Sequence, residues 1–305
     1  MNGHLERPLR LGEIFDRAVT ISVRGCLPLF VLFALYDLPM GVLQLFGATR
    51  VDHFVGIIVA AVLDRVYEIS GIGAQNAGPT TIDNVVLIVG LRLQPLLSGA
   101  IAFAVMRGLA GESMQPALAY RAAFARYGQL LGVFAISTAS LGIIFVVASA
   151  SVAWAALLFT HGIVVASLIV FVWVVFLAIV LSWCSLVLTL ALNSVVLDNA
   201  SVFRAMNNVR VLISTRREFG RMLVTGLVLI AIQVAAHVAG ETFGELFYSL
   251  VPLFFAYEMI DYAVIIVGSI LPSVVGTLYY LDLRVRREGR NVLDEPPVLA
   301  STVPV

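Results

Sequence analysis

Long apolar runs alternate with short polar segments along this chain, and the pattern predicts membrane-spanning helices. A helix needs about 20 residues to cross the hydrocarbon core of a bilayer. The chain contains six runs of roughly that length or longer. We place the spans at residues 26–46, 82–106, 128–154, 163–192, 222–239 and 263–281. The predicted fold is therefore an all-α, polytopic helical bundle.

One integral membrane domain accounts for residues 1–290, because no stretch between the spans is long enough for a separate soluble domain. Residues 291–305 have no periodic apolar pattern, and we expect them to form a disordered cytoplasmic tail. The apolar part of residues 54–68 is too short to span a bilayer. The pattern leaves open whether this segment lies on the membrane surface or re-enters it.

Three polar segments, at residues 9–23, 113–127 and 201–215, have one apolar face and carry arginine. They share a short signature and a glycine before the next span. The signatures are Phe15-Asp16-Arg17-Ala18, Tyr120-Arg121-Ala122 and Phe203-Arg204-Ala205, and the glycines are Gly25, Gly128 and Gly220. Basic amphipathic helices beside a membrane lie in its interface. The pattern predicts three interfacial helices, in a unit of one interfacial helix and one helical hairpin used three times. The alternative is that each loop acquired arginine and aromatic residues independently.

Composition excludes a soluble protein. The chain of 305 residues is 60% hydrophobic and 12% charged, whereas soluble domains are about 45–50% apolar and about 25% charged. Mean hydropathy is +1.00. The net charge of zero gives no overall field that would attract nucleic acid. Cys26 and Cys184 both fall in apolar runs, so we expect no disulfide framework.

Arginine sets the predicted orientation. All 19 basic residues are arginine. Sixteen of them lie in the N-terminal segment, in the loops after the second and fourth spans, and in the C-terminal segment, which all fall on the same side of the membrane. Cytoplasmic loops carry the excess of positive charge, so both termini are predicted to be cytoplasmic. Seven arginines are candidate ligands for lipid headgroups: Arg17, Arg121, Arg126, Arg204, Arg210, Arg284 and Arg286. The expected partners are anionic phospholipids, with a membrane-protein partner or a second copy of the chain as further options.

Two charged residues fall inside predicted spans. Asp37 and Arg92 lie at similar depth in two antiparallel helices, and charge in hydrocarbon is usually paired or functional. We predict that they face each other or a shared polar site near Gln94. The pair then either fixes helix register alone or contributes to transport.

Catalytic signatures are absent from the sequence. It has no phosphate-binding loop, no nucleophile elbow and no metalloprotease helix, and its four histidines lack metal-ligand spacing. We predict no catalytic residue, metal or cofactor. Small residues such as Gly226, Gly268 and Gly276 are expected to permit close helix approach.

Three stretches carry a family resemblance. They are Leu9-Arg10-Leu11-Gly12-Glu13-Ile14-Phe15-Asp16, the stretch from Asn193 to Ala205, and the tyrosine-rich stretch from Tyr279 to Gly289. The chain resembles bacterial six-span proteins of the glycerophosphodiester phosphodiesterase membrane-domain family and related uncharacterised inner-membrane families. The resemblance implies a bacterial inner-membrane location. It carries over no catalytic residue, since the soluble phosphodiesterase barrel of that family has no counterpart here.

Three functions remain open, in decreasing order of preference. The first is a lipid-associated scaffold or accessory membrane subunit, which the interfacial arginines favour. The second is a transporter or lipid-translocating protein that uses the polar site at mid-depth. The third is a membrane enzyme acting on lipid phosphates, which requires a cluster of acids or histidines that the sequence does not indicate.

Overall fold

A computed structural model describes residues 8–47, 81–158, 163–214, 216–250 and 254–288. All secondary structure in these ranges is helical, as the sequence predicts. The helices are α1 (Leu11–Arg24), α2 (Cys26–Gly47), α3 (Thr81–Leu109), α4 (Pro116–Phe124), α5 (Tyr127–Leu158), α6 (Ile163–Leu197), α7 (Val202–Leu212), α8 (Arg216–Leu250) and α9 (Phe254–Glu288). Within the described ranges their order is one short helix followed by two long ones, three times over. Residues 54–68 and 291–305 lie outside the described ranges.

Each predicted span falls within one of the long helices, although α6, α8 and α9 extend beyond the predicted ends. Three described stretches are long and apolar enough to cross a membrane: Val175–Leu197, Arg217–Gly244 and Ile260–Arg287. They belong to α6, α8 and α9. This protein therefore has helices suited to a membrane, while the count of six spans and the threefold repeat stay predictions.

The first short helix meets the long helix after it at a sharp corner. The axis of α1 is bent by 81° from that of the first part of α2. Gly25 is buried at the corner, and a Cβ atom added there would lie 2.6 Å from Sδ of Met114 and 3.1 Å from the Ile21 carbonyl oxygen. A larger residue would therefore push the flexible Met114 side chain aside and crowd the Ile21 carbonyl. If α2 crosses a membrane upright, α1 lies along the surface.

The three short helices bury the same position of their shared signature. Ala18, Ala122 and Ala205 are each 0% exposed. A methyl group at this position lets the short helix lie close to the long helices beneath it. The preceding arginines point away from the core, with Arg121 and Arg204 exposed and Arg17 partly exposed. The glycines that follow the three signatures differ in their surroundings. Gly25 is in close contact with its neighbours, whereas a Cβ atom at Gly128 or Gly220 would meet nothing within 4 Å.

Helix α9 is the centre of the bundle. In its apolar stretch, 67% of the residues are buried inside the protein, against 28% for the stretch in α6 and 22% for that in α8. It packs against α8, α2, α1 and α6. The outer faces of α6 and α8 carry exposed apolar side chains such as Val172, Phe176 and Val234. An apolar outer surface is what a lipid environment favours.

Glycines bring α6, α8 and α9 unusually close together. A Cβ atom at Gly226 of α8 would lie 2.9 Å from the backbone oxygen of Ser182 in α6, and one at Gly276 of α9 would lie 2.7 Å from Cγ2 of Thr189. A Cβ atom at Gly268 would likewise collide with the Cβ atom of Ala236. Close approach at these three predicted glycines is therefore confirmed.

Candidate functional site

A fully enclosed carboxylate connects two helices and the N-terminal segment. The side chain of Asp282, near the end of α9, is 0% exposed. Its Oδ2 atom accepts hydrogen bonds from Nη2 of Arg221 at 3.2 Å and from Nε of Arg286 at 2.8 Å. Its Oδ1 atom accepts the backbone N–H of Leu9 at 2.6 Å. Both oxygens of this carboxylate are thus used by partners within the protein.

The same two arginines bind the other side of Leu9. The carbonyl oxygen of Leu9 accepts hydrogen bonds from Nη2 of Arg221 at 3.3 Å and from Nη2 of Arg286. Glu218 completes the group, with Oε2 at 3.2 Å from Nη1 of Arg221. Two carboxylates therefore face two guanidinium groups, and the charges balance. Such pairing is what allows charged groups to be buried.

A second acid lies beside this group, at the end of α6. Asp198 accepts a hydrogen bond from the hydroxyl of Tyr280 and pairs with Nη1 of Arg284 at 2.6 Å. Ser194 donates to the same carboxylate at 3.3 Å, and Asn208 of α7 donates to Ser194 at 3.0 Å. Helix α7 is thereby connected to the ends of α6 and α9.

We call this arrangement the charged end, and define it by Leu9, Asp198, Arg221, Tyr279, Tyr280, Asp282, Arg284 and Arg286. Tyr279, the residue next to Tyr280, is fully buried, and its ring lies 5.8 Å from the guanidinium carbon of Arg221. That distance is within the range of a cation–π contact. Apart from Arg221, these residues come from the three stretches that carry the family resemblance. Segments far apart in the chain therefore meet at one place in the fold.

The predicted headgroup ligands divide into two groups. Arg121, Arg204 and Arg210 are exposed, and Arg17 and Arg126 are partly exposed, all of them on or beside the short helices. Arg284 and Arg286 instead form ion pairs within the charged end. Their guanidinium groups are already bound to buried acids, so only the first five remain candidate headgroup ligands.

Exposed aromatic side chains accompany these arginines. Phe203, beside Arg204, is 81% exposed, and Phe124, one turn from Arg121, is 59% exposed. An aromatic ring and a cation on one short helix form a typical anchor for the polar–apolar boundary of a bilayer.

The predicted intramembrane pair falls partly outside the described residues. Asp37 and Arg92 lie on α2 and α3, which pack against each other. The side chains of both residues are beyond what the structure describes, so their pairing stays a prediction. Gln94 is exposed.

A polar cavity of about 90 Å³ lies between α3, α6, α8 and α9. Its lining includes Ser98, Ser182, Thr189, Asn193, Ser273 and Thr277, and it contains no charged residue. At 1.5 Å per residue, Gly276 and Pro272 place it about 9–15 Å along α9 from Asp282. The cavity therefore lies a few helical turns from the charged end, and the exposed residues Ser185 and Gln233 in its lining leave it open on one side.

Apart from Arg221, the sequence marks the residues of the charged end only as parts of the three stretches that carry the family resemblance, and it does not show that they contact one another. In the sequence, Asp198 and Asp282 are acids near arginines at the ends of apolar runs. This composition is also typical of ordinary loops beside a membrane span, so it does not indicate a site. The serines and threonines around the cavity resemble ordinary small packing residues. Within the described ranges, no group of three or more histidine, cysteine, aspartate or glutamate residues is arranged to hold a metal ion.

Comparisons of the chain with protein-family models, with curated proteins and with solved structures found no match. Function is therefore inferred from the geometry of the charged end, the short helices and the cavity.

Proposed function

We propose that this chain is a six-span protein of a bacterial inner membrane that binds anionic phospholipids through its interfacial helices. In this proposal it acts as a lipid-associated scaffold or an accessory membrane subunit. The observation that carries it is the pairing of exposed arginine with exposed phenylalanine on α4 and α7. The resemblance to the glycerophosphodiester phosphodiesterase membrane-domain family is part of the same proposal.

Geometry supports an interfacial position for the short helices. Helix α1 turns by 81° into α2, and the buried alanines Ala18, Ala122 and Ala205 hold all three helices against the bundle. If the short helices lie in the plane of the membrane, their exposed arginines are at the level of the lipid phosphates. Guanidinium groups bind phosphate oxygens bidentately.

The charged end favours a structural role for the core. It fixes the N-terminal segment, α7 and the ends of α6, α8 and α9 relative to one another. Two of the short helices, α1 and α7, are therefore held relative to each other. A rigid arrangement of headgroup sites suits a scaffold better than a protein whose parts move past one another.

The experiment is native mass spectrometry of the purified full-length protein with phosphatidylglycerol and, separately, with phosphatidylcholine. We expect specific adducts of phosphatidylglycerol. The double variant Arg121→Gln/Arg204→Gln should weaken them about thirtyfold, since a basic residue near an anionic surface contributes about 1 kcal/mol.

Arg50→Gln is the matched control, because Arg50 is predicted to lie on the opposite side of the membrane. It should leave phosphatidylglycerol binding unchanged. Equal adducts of both lipids, or equal losses in the control and the double variant, would contradict the proposal. The same spectra report the oligomeric state and any co-purifying protein.

Transport is the second candidate, and the polar cavity is the observation that favours it. A transporter requires hydrogen-bonding groups inside the membrane region. The cavity supplies such groups between four helices.

A further inference from the structure

Five of the six hydroxyl groups that line the cavity already donate their protons within their own helices, the exception being Ser185. Ser182 donates to the carbonyl of Ala178 at 2.6 Å, and Thr189 donates to that of Ser185 at 2.9 Å. Three other lining residues do the same within their own helices. They are Ser98, Ser273 and Thr277, which donate to Gln94, Ser269 and Ser273.

A hydroxyl that donates to its own helix keeps lone pairs that accept hydrogen bonds. Five such hydroxyls therefore make the lining rich in acceptors. The amide nitrogen of Asn193 donates one of its two protons to the Gly276 carbonyl, at 3.4 Å. The amide of Gln233 and the hydroxyl of Ser185 are the other groups of the lining that can donate.

The lining also restricts charge. None of its residues is ionisable, so an ion in the cavity would have no opposite charge beside it. Placing an unpaired charge in a poorly solvated site is costly. An uncharged ligand avoids this cost.

Size sets the remaining limit. To hold one water molecule, a cavity needs roughly 10–15 Å³ of space that the centre of a water-sized sphere can occupy. Measured in the same way, this cavity has about 90 Å³. It has room for a molecule of a few heavy atoms, and two of its deepest polar residues, Ser182 and Thr277, are each 1% exposed.

We propose that the cavity between α3, α6, α8 and α9 binds a small, uncharged molecule carrying several O–H or N–H donors. The ligand donates to the back-bonded hydroxyls of Ser182, Thr189, Ser273 and Thr277. Lipid headgroups with a phosphate charge are excluded from this site, which distinguishes it from the interfacial arginines.

The test uses ethylene glycol as the donor probe and 1,2-dimethoxyethane as its methylated, donor-free counterpart. Saturation-transfer-difference NMR on the full-length protein in nanodiscs gives the dissociation constant of each. We expect saturable binding of ethylene glycol and none of the ether. Ethanolamine, which is cationic at neutral pH, should also fail to bind.

Two variants locate the binding. Ser273→Ala and Thr277→Val each remove one acceptor, and each should raise the Kd of ethylene glycol about fivefold. Ser140→Ala is the matched control, because Ser140 donates to the carbonyl of Ile136 at 2.8 Å in the same way but is exposed on α5. Its Kd should not change.

The proposal is overturned if ethylene glycol does not bind, or if the ether binds equally well. It is also overturned if Ser140→Ala weakens binding as much as the cavity variants do. The comparison of the two probes uses the unaltered protein, so it decides the matter even if a variant fails to fold. Loss of phosphatidylglycerol binding in the arginine variants has no bearing on this result.

Discussion

The carboxylate of Asp282 illustrates how single residues hold this protein together. It is completely enclosed, yet both of its oxygens accept hydrogen bonds and two guanidinium groups balance the local charge. Burial of such a group is tolerated only with this full set of partners, because an ion deprived of its counterion remains desolvated without compensation.

Asp282→Asn should therefore destabilise the protein strongly. The substitution removes the charge that faces Arg221 and Arg286, and breaking a buried pair in this way costs about 3–5 kcal/mol. The measurement is thermal unfolding of the purified protein in detergent. Asp16→Asn, which changes an exposed carboxylate on α1, should shift the midpoint by little, and comparable shifts for the two variants would refute the argument.

Some residues of the site can be recognised from the local sequence, whereas others can be recognised only from their contacts in the folded protein. Exposed Arg121 and Arg204 are recognisable from their amphipathic helices alone. The pairing of Asp282 with Leu9 depends on a backbone group 273 residues away, for which no local pattern exists. The sequence predicts Arg284 and Arg286 as headgroup ligands in the same way as the exposed arginines, whereas in the folded protein they pair with Asp198 and Asp282.

At the scale of elements, the positions of the long helices follow closely from the apolar runs, and the helix ends do not. Helix α8 begins at Arg216 and continues to Leu250, well beyond the predicted 222–239. Its ends carry polar residues that are paired, as at Arg221, or exposed, as at Glu241. A span predicted from average hydropathy ends where apolar residues become less frequent. The helix itself continues as long as its backbone hydrogen bonds are favourable.

The short helices permit a direct comparison of two positions on one element. Ala122→Leu places a larger side chain at a fully buried contact of α4 and should cost about 1–3 kcal/mol through overpacking. Ala117→Leu makes the same change at an exposed position of the same helix and should have little effect. Thermal unfolding in detergent measures both, and similar losses at the two positions would show that α4 does not pack as described.

For the whole molecule, membrane topology is the property that most needs a direct measurement. Six spans require the loops after α3 and α7 to share one side of the membrane, with residue 161 on the other. Single cysteines at Glu112, His161 and Ser214, in a background with Cys26→Ser and Cys184→Ser, report this by labelling with an impermeant maleimide in intact cells.

We expect His161→Cys to be labelled in intact bacteria after outer-membrane permeabilisation. Glu112→Cys and Ser214→Cys should be labelled only once the inner membrane is also opened. Labelling of Glu112→Cys and Ser214→Cys from opposite sides would be incompatible with an even number of spans between them, and would contradict the proposed topology.

The contact between Leu9 and the end of α9 has a consequence for biosynthesis. Leu9 emerges from the ribosome 273 residues before Asp282, whose carboxylate accepts its backbone N–H. Until α9 has been synthesised, the backbone of Leu9 therefore has neither Asp282 nor Arg286 as a partner. A nascent chain that lacks α9 consequently differs from the folded protein in that the segment around Leu9 is not yet docked.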